Sequence, residues 1–147
     1  MKVVIQRVSK AQVDIEGKTV GQIDKGFVVL LGIHESDTSK EVDYLVRKVS
    51  QMRIFEDEAG KMNLSLDQVG GQILLISQFT LYSDTKKGNR PGFEKAARPD
   101  VAIPLYEEFG LKLEEKGVPV KHGVFGADMQ ISLINDGPVT ITIDTLE

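Results

Sequence analysis

The sequence predicts an α+β domain in which a mostly antiparallel, curved sheet approaches an open β-barrel and carries two packing helices. Three observations predict it. Apolar runs of strand length fall at both ends of the chain, two segments repeat apolar residues at helical spacing, and Gly, Asn and Asp punctuate the strands at hairpin intervals. The 147 residues suffice for one hydrophobic core, so residues 1–147 are read as a single domain.

Lys2–Val8 and Ala11–Ile15 alternate as strands, and Glu16-Gly17-Lys18 turns the chain into a third strand, Thr19–Ile23. Asp24-Lys25-Gly26 turns it again into Phe27–Ile33 (FVVLLGI), a strand apolar on both faces. Thr38-Ser39-Lys40-Glu41 has the spacing of a capping box, and Val42, Leu45, Val46, Val49 and Met52 follow at helical spacing. A helix is expected from about Ser39 to Met52. Arg53 to Leu66 reads as irregular or hairpin-like, and Gly70-Gly71 precede the apolar strand Gln72–Ser77. Ser83–Arg98 has no apolar periodicity, and a loop that long in a compact domain is more often functional than incidental. The second helix places Leu105, Phe109 and Leu113 on one face and closes at Gly117. Starting it at Pro99 would put Pro104 inside the helix at a cost of about 3 kcal/mol, so a start near Pro104 is expected. Strands at Val118–Phe125, Met129–Ile134 and Val139–Thr145 complete the chain, with a hairpin turn expected at Asn135-Asp136-Gly137-Pro138.

The chain contains no cysteine, which removes disulfides, thiolate nucleophiles and Cys-ligated zinc. His34 and His122 stand far apart and outside any metal-ligand spacing, so no metal site is expected. No Gly-rich loop of the P-loop or dinucleotide type occurs, and no cofactor is expected. The start of the chain does not resemble a signal peptide, and its longest apolar run, Phe27–Ile33, is too short to span a bilayer. A cytoplasmic protein with no membrane partner is the expectation. The net charge of −4 argues against broad nucleic-acid binding. Between Asp84 and Arg98, however, Lys86, Lys87, Arg90, Lys95 and Arg98 face only Asp84 and Glu94, enough to contact a few phosphates locally.

Two segments carry candidate chemistry. Ser77-Gln78-Phe79-Thr80 places two hydroxyls and an amide at the end of a buried strand, where freed backbone N–H groups can hold a developing oxyanion. Read alone, it is more simply a strand end satisfied by local hydrogen bonds. In Asn135-Asp136-Gly137-Pro138, the X–Pro bond can be cis at modest cost, and a cis unit would turn two carbonyls towards a ligand. Read alone, it is a turn. A Ser-His-Asp triad from Ser77 and His122 lacks the G-x-S-x-G elbow.

Together, SQFTLY and NDGPVT resemble the signature motifs of the D-aminoacyl-tRNA deacylase family. VVIQRVSKAQV, RIFEDEAGKMNLSL, NRPGF and FGADMQISLINDGPVT extend the resemblance along the whole chain. The resemblance implies a β-rich homodimer with active sites at the interface, each joining Ser77, Gln78, Phe79 and Thr80 of one subunit to Gly137 and Pro138 of the other. It implies ester hydrolysis of tRNA charged with a D-amino acid, with some activity on glycyl-tRNA, releasing free tRNA. It also implies a pocket lined by Phe125, Met129 and Asn135, with Lys86, Lys87 and Arg90 on tRNA phosphates. Thr80 is then a nucleophile or an orienting hydroxyl, the second if the 2′-hydroxyl of the terminal adenosine assists. NDGPVT lacks the altered flanks expected of the family's trans-Pro relatives of relaxed chirality. Two readings compete: a general acyl-ester hydrolase, and a dimeric module that binds RNA or a partner without turnover.

Overall fold

A computed structural model describes residues 1–147. Its strands are β1 (Lys2–Ile15), β2 (Lys18–Ile23), β3 (Gly26–Gly32), β4 (Phe55–Glu56), β5 (Met62–Leu64), β6 (Gln72–Ser77), β7 (Val120–His122) and β8 (Gln130–Asp144). Its helices are α1 (Ser39–Gln51), the single turn α2 (Leu66–Val69) and α3 (Pro99–Glu115). The main sheet runs β2-β1-β3-β6-β7, with β8 on the other edge of β1, and β4-β5 form a separate hairpin. This is the expected α+β, barrel-like architecture. Pairings around β1 are antiparallel, while β6 is parallel to both β3 and β7. Parallel neighbours need a crossover, and α1 and α3 are those crossovers.

Two apolar clusters follow from the strand alternation. Phe27, Val29, Leu31, Ile73 and Leu75 face α1 and α3, while Val28, Leu74 and Ile76 point to the opposite side of the sheet. There they meet Val8, Ala11, Val13 and Ile23 inside the curl of the sheet. α1 presents Val42, Leu45, Val46 and Val49 to the first cluster, and both halves of its capping box at Thr38 and Glu41 are formed.

Three expectations change. β1 is one strand, not two: its alternation slips between Val8 and Ala11, where the pairing to β8 is irregular. α3 begins at Pro99 and keeps Pro104 inside. Pro104 is exposed, so the Asp100 carbonyl it leaves without an i+4 donor faces the outside of the helix, while Ala102 is buried in line with Leu105, Phe109 and Leu113. The third change concerns Asn135–Pro138. The flanking segments do not fold back on each other, because both pair with β1 in one continuous strand. From Val8↔Asn135 to Gln6↔Thr140, β1 advances two residues and β8 five, so Asp136–Val139 arch out as an extended bulge. Turn residues mark turns and bulges alike, and only the pairing partner distinguishes them. Smaller departures concern β7, which is limited to Val120–His122, and α2, whose capping residue is Ser65.

Candidate active site

β6 delivers Ser77 to the end of the sheet. The Gln78 N–H makes the last ladder bond, to the Leu31 carbonyl at 2.8 Å, and the chain then tightens into a 3₁₀ turn over Phe79–Leu81. Its bonds run from Leu81 N–H to Gln78 O (3.2 Å) and from Tyr82 N–H to Phe79 O (3.0 Å). A helical start leaves its first N–H groups without an intrahelical acceptor, here those of Phe79 and Thr80. Gly32 permits this geometry. A Cβ there would lie 2.9 Å from Leu81 Cβ and 3.2 Å from the Gln78 carbonyl, so the turn seats directly on the end of β3. Tyr82 anchors its far side, its ring edge-on to His34 at 5.1 Å and beneath Lys2 Nζ at 5.0 Å. Burial pushes the Tyr82 hydroxyl well above the usual phenol range.

The Gln78 side-chain amide donates to Thr80 Oγ1. That contact fixes the hydroxyl and occupies one of its lone pairs, and no carboxylate or imidazole hydrogen-bonds Thr80 to take its proton. The histidines are engaged elsewhere. His34 Nδ1 is paired with Ser36, and His122 Nδ1 lies 3.2 Å from the Tyr106 hydroxyl. Tyr106 in turn donates to the Leu75 carbonyl at 2.7 Å, tying α3 to β6 behind the site.

The second motif is held from both sides. Arg7 is 5% exposed, and its guanidinium donates to the Ile54 carbonyl (2.6 Å) and the Asp136 carbonyl (3.0 Å). Asn135 Oδ1 accepts from the Val139 N–H at 3.1 Å, closing the arch from within, and Val139 is buried in the larger core. Gly137 and Pro138 stand exposed at the crest, joined by a cis peptide bond. Gly137 has φ +137°, and a Cβ there would meet Val139 Cγ2 at 2.8 Å and Arg7 Nη2 at 3.2 Å. Arg7 was not legible as a site residue, because an arginine on an alternating strand reads as surface.

One chain does not bring the two motifs together. Ser77 aligns through Leu31 and Val3 with Ile143, whereas the arch lies beside Arg7, four residues further along β1 and three strand spacings from β6. At about 3.3 Å per residue and 4.8 Å per strand, that is roughly 19 Å over the sheet surface. Met129 packs on the barrel-side cluster, and Phe125 on the larger one with its ring 6.4 Å from Tyr106. Asn135 is half-buried at the foot of the arch, its Oδ1 engaged by the Val139 N–H. Lys86, Lys87 and Arg90 lie exposed in a lobe closed at its root by paired backbone bonds between Asp84 and Gly92 (2.8 and 2.9 Å). From that root Phe93 reaches the half-exposed Phe79 ring, edge-on at 5.3 Å.

Free N–H donors beside a fixed hydroxyl, with no acid–base pair, are groups that could act on a ligand by positioning and by stabilising negative charge rather than by proton transfer. Residues 4–144 match the family model for D-Tyr-tRNA(Tyr) deacylase, and the chain belongs to that family, whose members are hydrolases acting on D-aminoacyl-tRNA. Among solved structures, one named c-Myc DNA Unwinding Element Binding Protein is 42% identical, with TM-score 0.93 over 99% of each chain. Another, described as a probable eukaryotic D-amino acid tRNA deacylase, is 18% identical with TM-score 0.82 over 97% of each chain, a likeness of fold.

Proposed function

We propose that this chain hydrolyses D-aminoacyl-tRNA, and to a lesser degree glycyl-tRNA, at a pocket completed by a second copy. The observation that carries the cross-subunit reading is the separation of the motifs: the exposed Gly137–Pro138 crest is too far from Ser77–Thr80 of its own chain to serve it. β8 also has a free edge and an exposed Ile134 beside the arch, surface that a second copy would cover.

In this reading the Phe79 and Thr80 N–H groups receive the oxyanion, an effect typically worth about 10²–10³ in rate per donor. Thr80 orients the ester, and Gln78 holds Thr80. With no base at Thr80, the 2′-hydroxyl of the terminal adenosine assists attack on the ester. Phe125 and Met129 line the pocket, while Lys86, Lys87 and Arg90 contact acceptor-stem phosphates. Chiral rejection comes from backbone. The crest is held by Arg7 and Asn135, so it cannot yield to an L side chain, whereas a D side chain points away. Glycine, lacking a side chain, passes in part.

The test is deacylation of D-Tyr-tRNA, L-Tyr-tRNA, Gly-tRNA and a free D-Tyr ester side by side. The reading expects D-Tyr-tRNA far above L-Tyr-tRNA, Gly-tRNA between them, and little action on the free ester. Equal rates on the D- and L-charged tRNA would sink it, and tRNA binding without turnover would favour an interaction module. Ending the tRNA in 2′-deoxyadenosine should abolish turnover while Thr80→Val retains part of it; the reverse pattern would make Thr80 the nucleophile.

A further inference from the structure

We infer that Phe93, outside both signature motifs, is a positioning residue that aligns the oxyanion turn and ties it to the basic lobe; this rests on the site reading above. Phe79 is 53% exposed, an unusual state for the residue that carries one of the two free N–H groups. The ring recorded against it is Phe93, at 5.3 Å and 77°. Edge-to-face geometry is directional, with the positive edge of one ring on the negative face of the other, so the contact restrains rotation as well as covering area.

The restraint works only if Phe93 is itself fixed, and it is clamped on both sides. Upstream, Asp84 and Gly92 exchange both backbone bonds and close the lobe. Downstream, the Glu35 N–H donates to the Lys95 carbonyl at 3.0 Å and the Ala97 N–H to the Ile33 carbonyl at 2.8 Å, sewing the segment to the end of β3. Phe93 therefore stands on a mount shared by β3, which also seats the 3₁₀ turn through Gly32. Lys86, Lys87 and Arg90 all lie inside the closed lobe, and their side chains have no protein partner in the structure. A phosphate drawn to them is thereby placed at a fixed offset from the Phe79 and Thr80 donors.

Kinetics of Phe93→Ala, Phe93→Tyr, Phe93→Leu, Phe79→Ala and the Phe79→Ala/Phe93→Ala double variant on D-Tyr-tRNA test this. Thermal unfolding of each variant identifies any loss of fold. Phe93→Ala should lower kcat by about two- to tenfold, the range an aromatic pair supports. The slope of log KM against log salt, which counts phosphate contacts, should not change. Phe93→Tyr should restore kcat and Phe93→Leu should not. The double variant should be no worse than Phe79→Ala alone, because both remove the same contact. Unchanged kcat in Phe93→Ala, or full rescue by leucine, overturns the inference. Phe79→Ala keeps the backbone N–H, so if it is without effect, or if it alone is impaired, this inference fails and the site reading stands; the site reading fails separately, on equal rates with D- and L-Tyr-tRNA.

Discussion

Arg7 sets the terms at the scale of single residues. Its side chain lies out of water and each of its two carbonyl contacts points a different way, to Ile54 and to Asp136. Removing it strands both carbonyls and loosens the arch beneath Gly137. Arg7→Ala should therefore cost about 2–4 kcal/mol of stability, read as a lower urea midpoint, with a drop in kcat/KM on D-Tyr-tRNA. Lysine should rescue poorly, since an ammonium cannot reproduce the planar fork that serves two acceptors at once. Asn135 and Val139 complete the picture: one motif residue closes the arch and another roots it, leaving Gly137 and Pro138 as the part presented outward.

Among the elements, α1 and α3 behave differently. α1 starts on a formed capping box, in which the Thr38 backbone N–H bonds to the Glu41 carboxylate and holds its pKa below the ordinary 4.5. A carboxyl lowered in the folded state contributes stability above its unfolded pKa and loses it as pH falls through the folded value. The Tm advantage of the wild type over Glu41→Gln should thus be present at neutral pH, begin to shrink below about pH 4.5 and vanish once the pH has passed below the lowered folded value, as followed by circular dichroism. α3 carries an opposing local term in Pro104. Pro104→Ala restores the bond to the Asp100 carbonyl at an exposed position and should raise stability by about 1–2 kcal/mol, after allowing for the more flexible unfolded chain. A lower Tm in that variant would mean that the proline ring contributes packing that its exposure does not suggest.

For the molecule as a whole, the decisive fact is that the two motifs sit on different parts of one sheet. The proposed dimer then becomes a requirement for activity. Ile134→Lys puts a charge on the exposed flank of β8 and should shift self-association to higher concentration in analytical ultracentrifugation. Activity should fall in step at low protein concentration and recover as concentration rises. A monomeric variant with full activity would place the whole pocket within one chain.

Much of this protein was legible from residue order. Period-two runs located β3 and β6, the Thr38–Glu41 spacing located α1, and the pairing of SQFTLY with NDGPVT identified the family, because alternation, capping and motif identity are local properties. What those segments do was not local. Pro104 remains inside α3 because Ala102, Leu105, Phe109 and Leu113 share a buried face, and tertiary burial outweighs a local propensity. The Asn135–Pro138 segment is an arch because both of its flanks pair with β1, a register no local pattern encodes. The sequence by itself determined the family and the two motifs to which the proposed function assigns the holding of the ester and the exclusion of a side chain. Only the tertiary structure decided that these groups lie about four residues and three strands apart, with Arg7 bonded beneath one and the Phe93 ring against the other, because register and sheet order arise from contacts between distant segments.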